Sequence, residues 1–291
     1  MFISVTFIHA TAMADNQVSP SGTNSLGVSD SRFGLFNALD HRSAYYQDFF
    51  PTPLLMDETS LEQDGEIELN SLHTQANAQH NDIIMAEVEK SFGLLTVEGD
   101  VPYERDSDAD GVSQGIGNID LGARYPLYQF ISANGFFDTT LGVAMEVGIP
   151  VNSAVSRNTE FDPKIFNDLK LGGHFSLQTA FGYATLFGGG DSGGLQTFEY
   201  GLAFGYAIPR HELPLPGVQQ LTPMFELTGE TQLNQDDSGQ NSLLGGIGFR
   251  LDLKPIGDVQ PGLGLSFVFP MDSAANAEVR WGIATSLTLE F

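Results

Sequence analysis

Three short stretches carry side chains whose types and spacing could do chemistry. Gly190-Asp191-Ser192-Gly193-Gly194 spells a nucleophilic-serine loop. Such a serine needs a histidine base and a carboxylate to orient it. None of the six histidines sits in a recognisable partner motif, which leaves a glycine-rich hairpin loop. Asp106-Ser107-Asp108-Ala109-Asp110-Gly111 has the alternating acids that open a calcium loop. That loop closes on a bidentate acid at its twelfth position. Here the twelfth position is Gly117, and no helical pattern flanks it. Asp106, Asp108 and Asp110 are expected to form a solvated acidic loop, a weak divalent-cation site at most, and no other cofactor is expected. His174 and Ser176 stand two apart on one segment. A barrel-wall lipid hydrolase could use such a pair, but no third partner is identifiable, so both read as ordinary polar residues and the chain as a non-enzyme.

A larger set of charged residues recurs on one face of alternating segments. The last thirteen residues, Val279 to Phe291, show the pattern best. Val279, Trp281, Ile283, Thr285, Leu287, Leu289 and Phe291 are apolar or neutral; Arg280, Gly282, Ala284, Ser286, Thr288 and Glu290 are small or polar. Side chains alternate across a strand, so one face is greasy and the other wet. Ile119, Leu121, Ala123, Tyr125 and Leu127 likewise oppose Asp120 and Arg124; Val143, Met145 and Val147 oppose Asp138 and Glu146; Phe198 to Ile208 oppose Glu199; Ile247 to Leu253 oppose Arg250, Asp252 and Lys254. The same face carries Glu87, Glu89, Glu98, Asp100, Asp168, Lys170, Glu226, Glu230 and Arg280. A charge on a lipid face costs roughly 2–4 kcal/mol at mid-depth, so the charged face must be the inner one. These charges are expected to line a lumen, either as a polar conduit or as an internal salt-bridge network.

The elements that must hold them are strands. About twelve alternating segments are expected near 66–76, 82–91, 94–104, 116–128, 135–149, 166–178, 180–188, 196–208, 220–233, 241–254, 260–270 and 278–291, an even number as single-chain barrels have. Connections after odd-numbered segments are polar: Arg105 to Gly115, Pro150 to Ile165, Gly189 to Leu195, Asn234 to Gln240 and Met271 to Ala277. The others are mostly short. The fold class is all-β, a transmembrane antiparallel barrel spanning residues 64–291. A soluble β-sandwich also alternates, but it has no reason to keep so many segments at about ten residues or more.

Composition agrees. The chain has 291 residues, a 41% hydrophobic fraction, 33 Gly and 22 Phe. No run approaches the roughly 18 apolar residues of a membrane helix. With no cysteine there is no disulfide. A net charge of −25 excludes nucleic acid as a partner, since phosphate binding needs clustered Lys and Arg.

The first residues differ from the rest. Phe2 to Ile8 is apolar, and Ala12-Met13-Ala14 has the spacing of signal-peptidase cleavage, so residues 1–14 read as a signal peptide. Its basic leader is missing and its apolar run is short, so either the true start lies further upstream, the expected case, or the stretch is not a signal. Residues 15–63 form a non-barrel extension. Phe33, Phe36, Tyr45, Tyr46, Phe49 and Phe50, with Pro51 and Pro53, show no alternation. So many aromatics must be buried somewhere: either packed on the periplasmic mouth or plugging the lumen.

Gly115-Ile116-Gly117-Asn118-Ile119-Asp120-Leu121-Gly122-Ala123-Arg124-Tyr125-Pro126-Leu127 resembles the G-x-G-[DN]-x-x-L-G-x-[KR]-Y stretch of the outer-membrane proteins named for the MetA pathway of phenol degradation. That family often continues to a strand ending in Pro-Thr-Gly; this chain has Pro150-Val151-Asn152. The resemblance implies a Gram-negative outer-membrane barrel that passes small molecules, aromatic or hydrophobic ones among them. Its expected partners are outer-membrane lipid, lipopolysaccharide, a small solute, and the barrel-assembly machinery through the strand ending in Phe291. The alternatives are a closed structural or surface-binding barrel and, last, the lipid hydrolase.

Overall fold

The structure is a computed structural model that describes residues 50–59, 65–76, 79–92, 94–108, 111–134, 136–188, 193–213 and 215–291. The signal-peptide reading and the aromatics Phe33, Phe36, Tyr45, Tyr46 and Phe49 lie outside these residues.

In order along the chain come β1 (Gly65–Ala76), β2 (Gln79–Phe92), β3 (Leu95–Ser107), β4 (Val112–Ile116), β5 (Asn118–Ile131), β6 (Phe137–Pro150), β7 (Asn158–Leu171) and β8 (Phe175–Gly188). Then follow β9 (Gln196–Tyr206), β10 (Ile208–Pro209), β11 (Val218–Gln232), β12 (Asn241–Leu253), β13 (Gln260–Pro270), α1 (Ser273–Glu278) and β14 (Trp281–Glu290). Twelve strands pair antiparallel in sequence order, and β14 returns to β1 with Glu66 opposite Glu290. The ring is closed, which leaves no open edge for lipid to meet. At the seam, Gly65 N donates to the Phe291 carbonyl at 3.1 Å and Phe291 N to the Gly65 carbonyl at 2.9 Å. β4 only folds back on β3, and β10 only on β11.

The alternation decides which side faces lipid. Ile67, Leu69, Val88, Leu265, Phe267 and Leu287 are exposed on the outside, while Glu66, Glu68, Glu87, Glu89, Arg124 and Arg250 are buried within. A soluble sandwich would have these two sets exchanged. Pro126 cannot donate a ladder hydrogen bond. The pairing of β5 with β6 slips between Pro126 and Tyr128, and the bulge keeps Tyr125, Tyr128 and Phe130 all outward.

Three expected boundaries move. The segments expected at 166–178 and 180–188 are β7 and β8, and β7 starts at Asn158. The second half of the connection expected from Pro150 to Ile165 is therefore strand. The turn lies at Gly172, whose φ of 63° suits glycine. The acidic stretch after Arg105 is not a long loop: β3 and β4 continue as a hairpin with Ser107 opposite Val112. The final strand begins at Trp281, because α1 occupies the preceding connection, capped by Asp272, whose side chain accepts from Ala275 N at 2.8 Å.

A strap and two cation clusters form the candidate functional site

Residues 50–59 form no strand or helix, yet they sit inside the barrel. Leu54, Leu55 and Met56 are 1–2% exposed and Thr52 is 0% exposed. A segment without a ladder must satisfy its polar groups elsewhere. Here the barrel wall does so. The N–H groups of Leu54 and Leu55 both donate to Glu226 Oε2 of β11 at 2.8 Å. Gln178 Nε2 of β8 donates to the Pro51 carbonyl at 2.6 Å. The Thr59 hydroxyl donates to Asp168 of β7 and lies 3.3 Å from Gln178 Oε1. Glycines on the wall make room for the strap's bulk. A Cβ on Gly201 would lie 2.8 Å from Met56 Cβ, and one on Gly205 2.7 Å from Pro51 Cγ. Gly246 and Gly264 face Leu55 and Leu54 in the same way.

Two ion clusters bind the strap's acidic end. Arg124 of β5 donates to Glu89 Oε2 at 2.6 Å and Glu98 Oε2 at 2.7 Å, and its Nη2 lies 3.5 Å from Glu58 of the strap. Lys164 of β7 holds Asp162 at 2.7 Å, Glu146 at 3.1 Å, and Asp57 of the strap. Each cluster is buried. A buried charge pair is stable only when its geometry is good and its partners are kept. The strap therefore completes both clusters as much as they hold it.

The other charges named from the sequence fall at several depths. Asp100 is buried, and Asp120 stands opposite it across β3 and β5. Asp138 stands opposite Lys170, both half-buried. Glu199 lies near Asp57 and Asp162, and Glu230 lines a cavity of about 50 Å³ floored by Leu55 and Met56. Arg250 donates to Thr288 Oγ1 at 2.9 Å, with Asp252 at 3.9 Å. Arg280 corrects the expectation. It precedes β14 at the rim and is exposed, because the helix takes the residues that would have extended the strand.

The acidic stretch forms a hairpin. Asp108 Oδ1 accepts from Gly111 N at 3.0 Å, a turn contact, Asp106 stands opposite Ser113 in the hairpin, and Asp110 lies outside the described residues. Among the described residues, the carboxylates close enough to share an ion are in the lumen instead. His174 has its Nδ1 2.8 Å from the Ala207 carbonyl and its Nε2 3.4 Å from Glu212, so both ring nitrogens are engaged away from Ser176. Ser192 lies outside the described residues.

Sequence reasoning missed Lys164, Asp162, Asp57, Glu58, Glu66 and Glu68. The run Asp162, Lys164, Asp168, Lys170 keeps strict even spacing and could have extended β7 backwards. Nothing periodic marks Asp57 and Glu58.

A closed twelve-stranded ring with an apolar outside and charged inside is an outer-membrane β-barrel. The sequence matches no protein-family model and no curated protein. Solved structures with a similar course include the COG4313 outer membrane channel from Pseudomonas putida F1, with a TM-score of 0.54 and 15% identity over 78% of this chain and 94% of that one. The NanC porin gives a TM-score of 0.47 at 8% identity, covering 77% of this chain and 98% of that one. The KdgM porin gives 0.42 at 14%, covering 78% and 98%. At 15% identity, the likeness to the COG4313 channel is one of fold.

Proposed function

We propose that the chain is a passive outer-membrane channel for small molecules, closed at mid-depth by the strap 50–59 and selective through its acidic wall. One observation carries this reading: a segment that is not part of the barrel is buried in its lumen and bonded to strands on several sides. A purely structural barrel could fill its lumen with wall side chains alone. The cavity beside the strap joins an apolar floor of Leu55, Met56, Ala180 and Leu244 to the acids Asp57, Glu199 and Glu230, with Lys164 as its one cation among the described residues. That lining suits a small, partly apolar solute that is neutral or cationic, and carboxylate-lined pores disfavour anions. The resemblance of residues 115–127 to the phenol-degradation proteins supports an aromatic solute. The outer belt would sit among outer-membrane lipid and lipopolysaccharide, and β14 with Phe291 would present the signal read by the assembly machinery.

Conductance in a planar bilayer tests the reading, with folding checked by heat-modifiable gel migration. Deleting residues 15–60 should raise conductance. A deletion variant that is folded yet silent would leave the closed structural barrel as the better account.

A further inference from the structure

The wall formed by β1, β2, β3 and β5 carries acids opposite acids. Glu68 pairs across to Glu87, Glu87 to Asp100, and Asp100 to Asp120. In the neighbouring row Glu66 pairs to Glu89 and Glu89 to Glu98. Like charges directly opposite on adjacent strands repel. Arg124 offsets part of the second row through Glu89 and Glu98. It does not reach Glu87. That side chain is 1% exposed, and neither of its carboxylate oxygens has a hydrogen-bond partner among the described residues. Asp100 Oδ1 beside it is in the same position. Buried carboxylates are ordinarily paired or bound to a metal.

The geometry fits a metal. One oxygen each from Glu87, Glu89 and Glu98 lie within 4.8 Å of one another. A calcium ion binds oxygens at about 2.3–2.6 Å, so ligands on its opposite sides stand about 4.6–5.2 Å apart, and three oxygens this close can share one ion. Asp57, Asp162 and Glu199 meet the same distance test, but there the chain supplies its own cation, with Lys164 Nζ 2.7 Å from Asp162. Among the described residues no lysine pairs with Glu87, and the Arg124 guanidinium contacts Glu89 and Glu98.

We propose that Glu87, Glu89 and Glu98 bind a hard divalent cation, Ca²⁺ in preference to Mg²⁺, within the lumen wall. Calcium accepts irregular and bidentate carboxylate geometry, whereas magnesium demands a near-ideal octahedron and gives up its waters reluctantly. The ion is fixed, tying β2 to β3 beside the strap's Glu58–Arg124 contact. The site does not depend on whether the barrel conducts.

The test uses the full chain folded in detergent micelles and stripped with a chelator. Calorimetric titration with CaCl₂ should show one tight Ca²⁺ per chain, and saturating Ca²⁺ should raise the midpoint of the heat-modifiable transition. Glu87→Gln should weaken Ca²⁺ binding at least tenfold. A double change of Asp106→Asn and Asp108→Asn in the acidic hairpin should leave it unaltered. Glu87→Lys brings an ammonium as Lys164 does in the other cluster, so it should fold without calcium and lose the response. No binding by the unaltered chain, binding unchanged in Glu87→Gln, a calcium response that persists in Glu87→Lys, or loss in the hairpin variant would each overturn the proposal.

Discussion

The inward faces of β13 and β14 and those of β2 and β3 line one lumen with opposite chemistries. β13 offers Gly262, Gly264, Ser266 and Val268, and β14 offers Gly282, Ala284, Ser286 and Thr288. β2 offers Glu87 and Glu89, and β3 offers Glu98 and Asp100. The strap is built to the same division. Leu54 and Leu55 lie against glycines of β13 and β12, while Asp57 and Glu58 turn to Lys164 and Arg124 on the other side. The small-residue side holds the strap by shape. The charged side holds it through cations that bridge strap acids to wall acids. A short segment thus satisfies two unlike surfaces, and this explains why its sequence shows neither strand nor helix period.

The comparison can be broken from either side, and the largest effect should come from removing the strap altogether. Deleting residues 50–59 should convert a closed barrel into one with several-fold higher single-channel conductance in a planar bilayer; an unchanged current would mean that closure lies elsewhere. Next comes Arg124→Ala, which leaves Glu58, Glu89 and Glu98 buried without their guanidinium. Breaking a buried pair in this way costs roughly 3–5 kcal/mol, to be read as a lowered midpoint in urea unfolding followed by gel migration. A loss under 1 kcal/mol would show that water reaches the cluster. On the small-residue side, Gly264→Val would place a Cβ about 2.5 Å from Leu54 Cδ2 and 3.1 Å from Ser286 Oγ. Overpacking of that kind costs about 1–3 kcal/mol. It should dislodge the strap and appear as intermittent openings, whereas a silent trace would mean the strap has slack there. The smallest effect is expected from Glu226→Gln, which keeps the shape and weakens two hydrogen bonds to strap N–H groups. Losing the charge should cost about 1 kcal/mol and raise the open fraction modestly. A rise as large as that of the deletion would make Glu226 the main latch.

Much of the fold could be read directly, because a barrel wall obeys a period of two. Leu243 to Leu253 and Phe198 to Tyr206 show it plainly, and their outward residues follow it. Strand ends were harder. The polar run from Pro150 to Ile165 reads as a connection, but a strand whose inner face lines a polar lumen can hold Asp162 and Lys164 without bending. The error hid Lys164, and with it one of the two cations on which the strap is fixed. Inward glycines leave hollows on the wall. At Gly201, Gly205, Gly246 and Gly264 that space is taken by the strap, a tertiary contact that no local pattern reveals. The charges were legible as a face, and their pairing was not, because it depends on register between strands far apart in the chain.

The seam between β1 and β14 joins residues from opposite ends of the described chain, Glu66 to Glu290. Contacts between distant segments form late, since the chain loses loop entropy before it gains the contact. Neighbouring hairpins can therefore assemble into a curved sheet while this pair is still open. The strap immediately precedes β1, so the step that joins β1 to β14 also decides on which side of the wall the strap is left. Slow refolding phases should then report enclosure and closure together, with one rate for both.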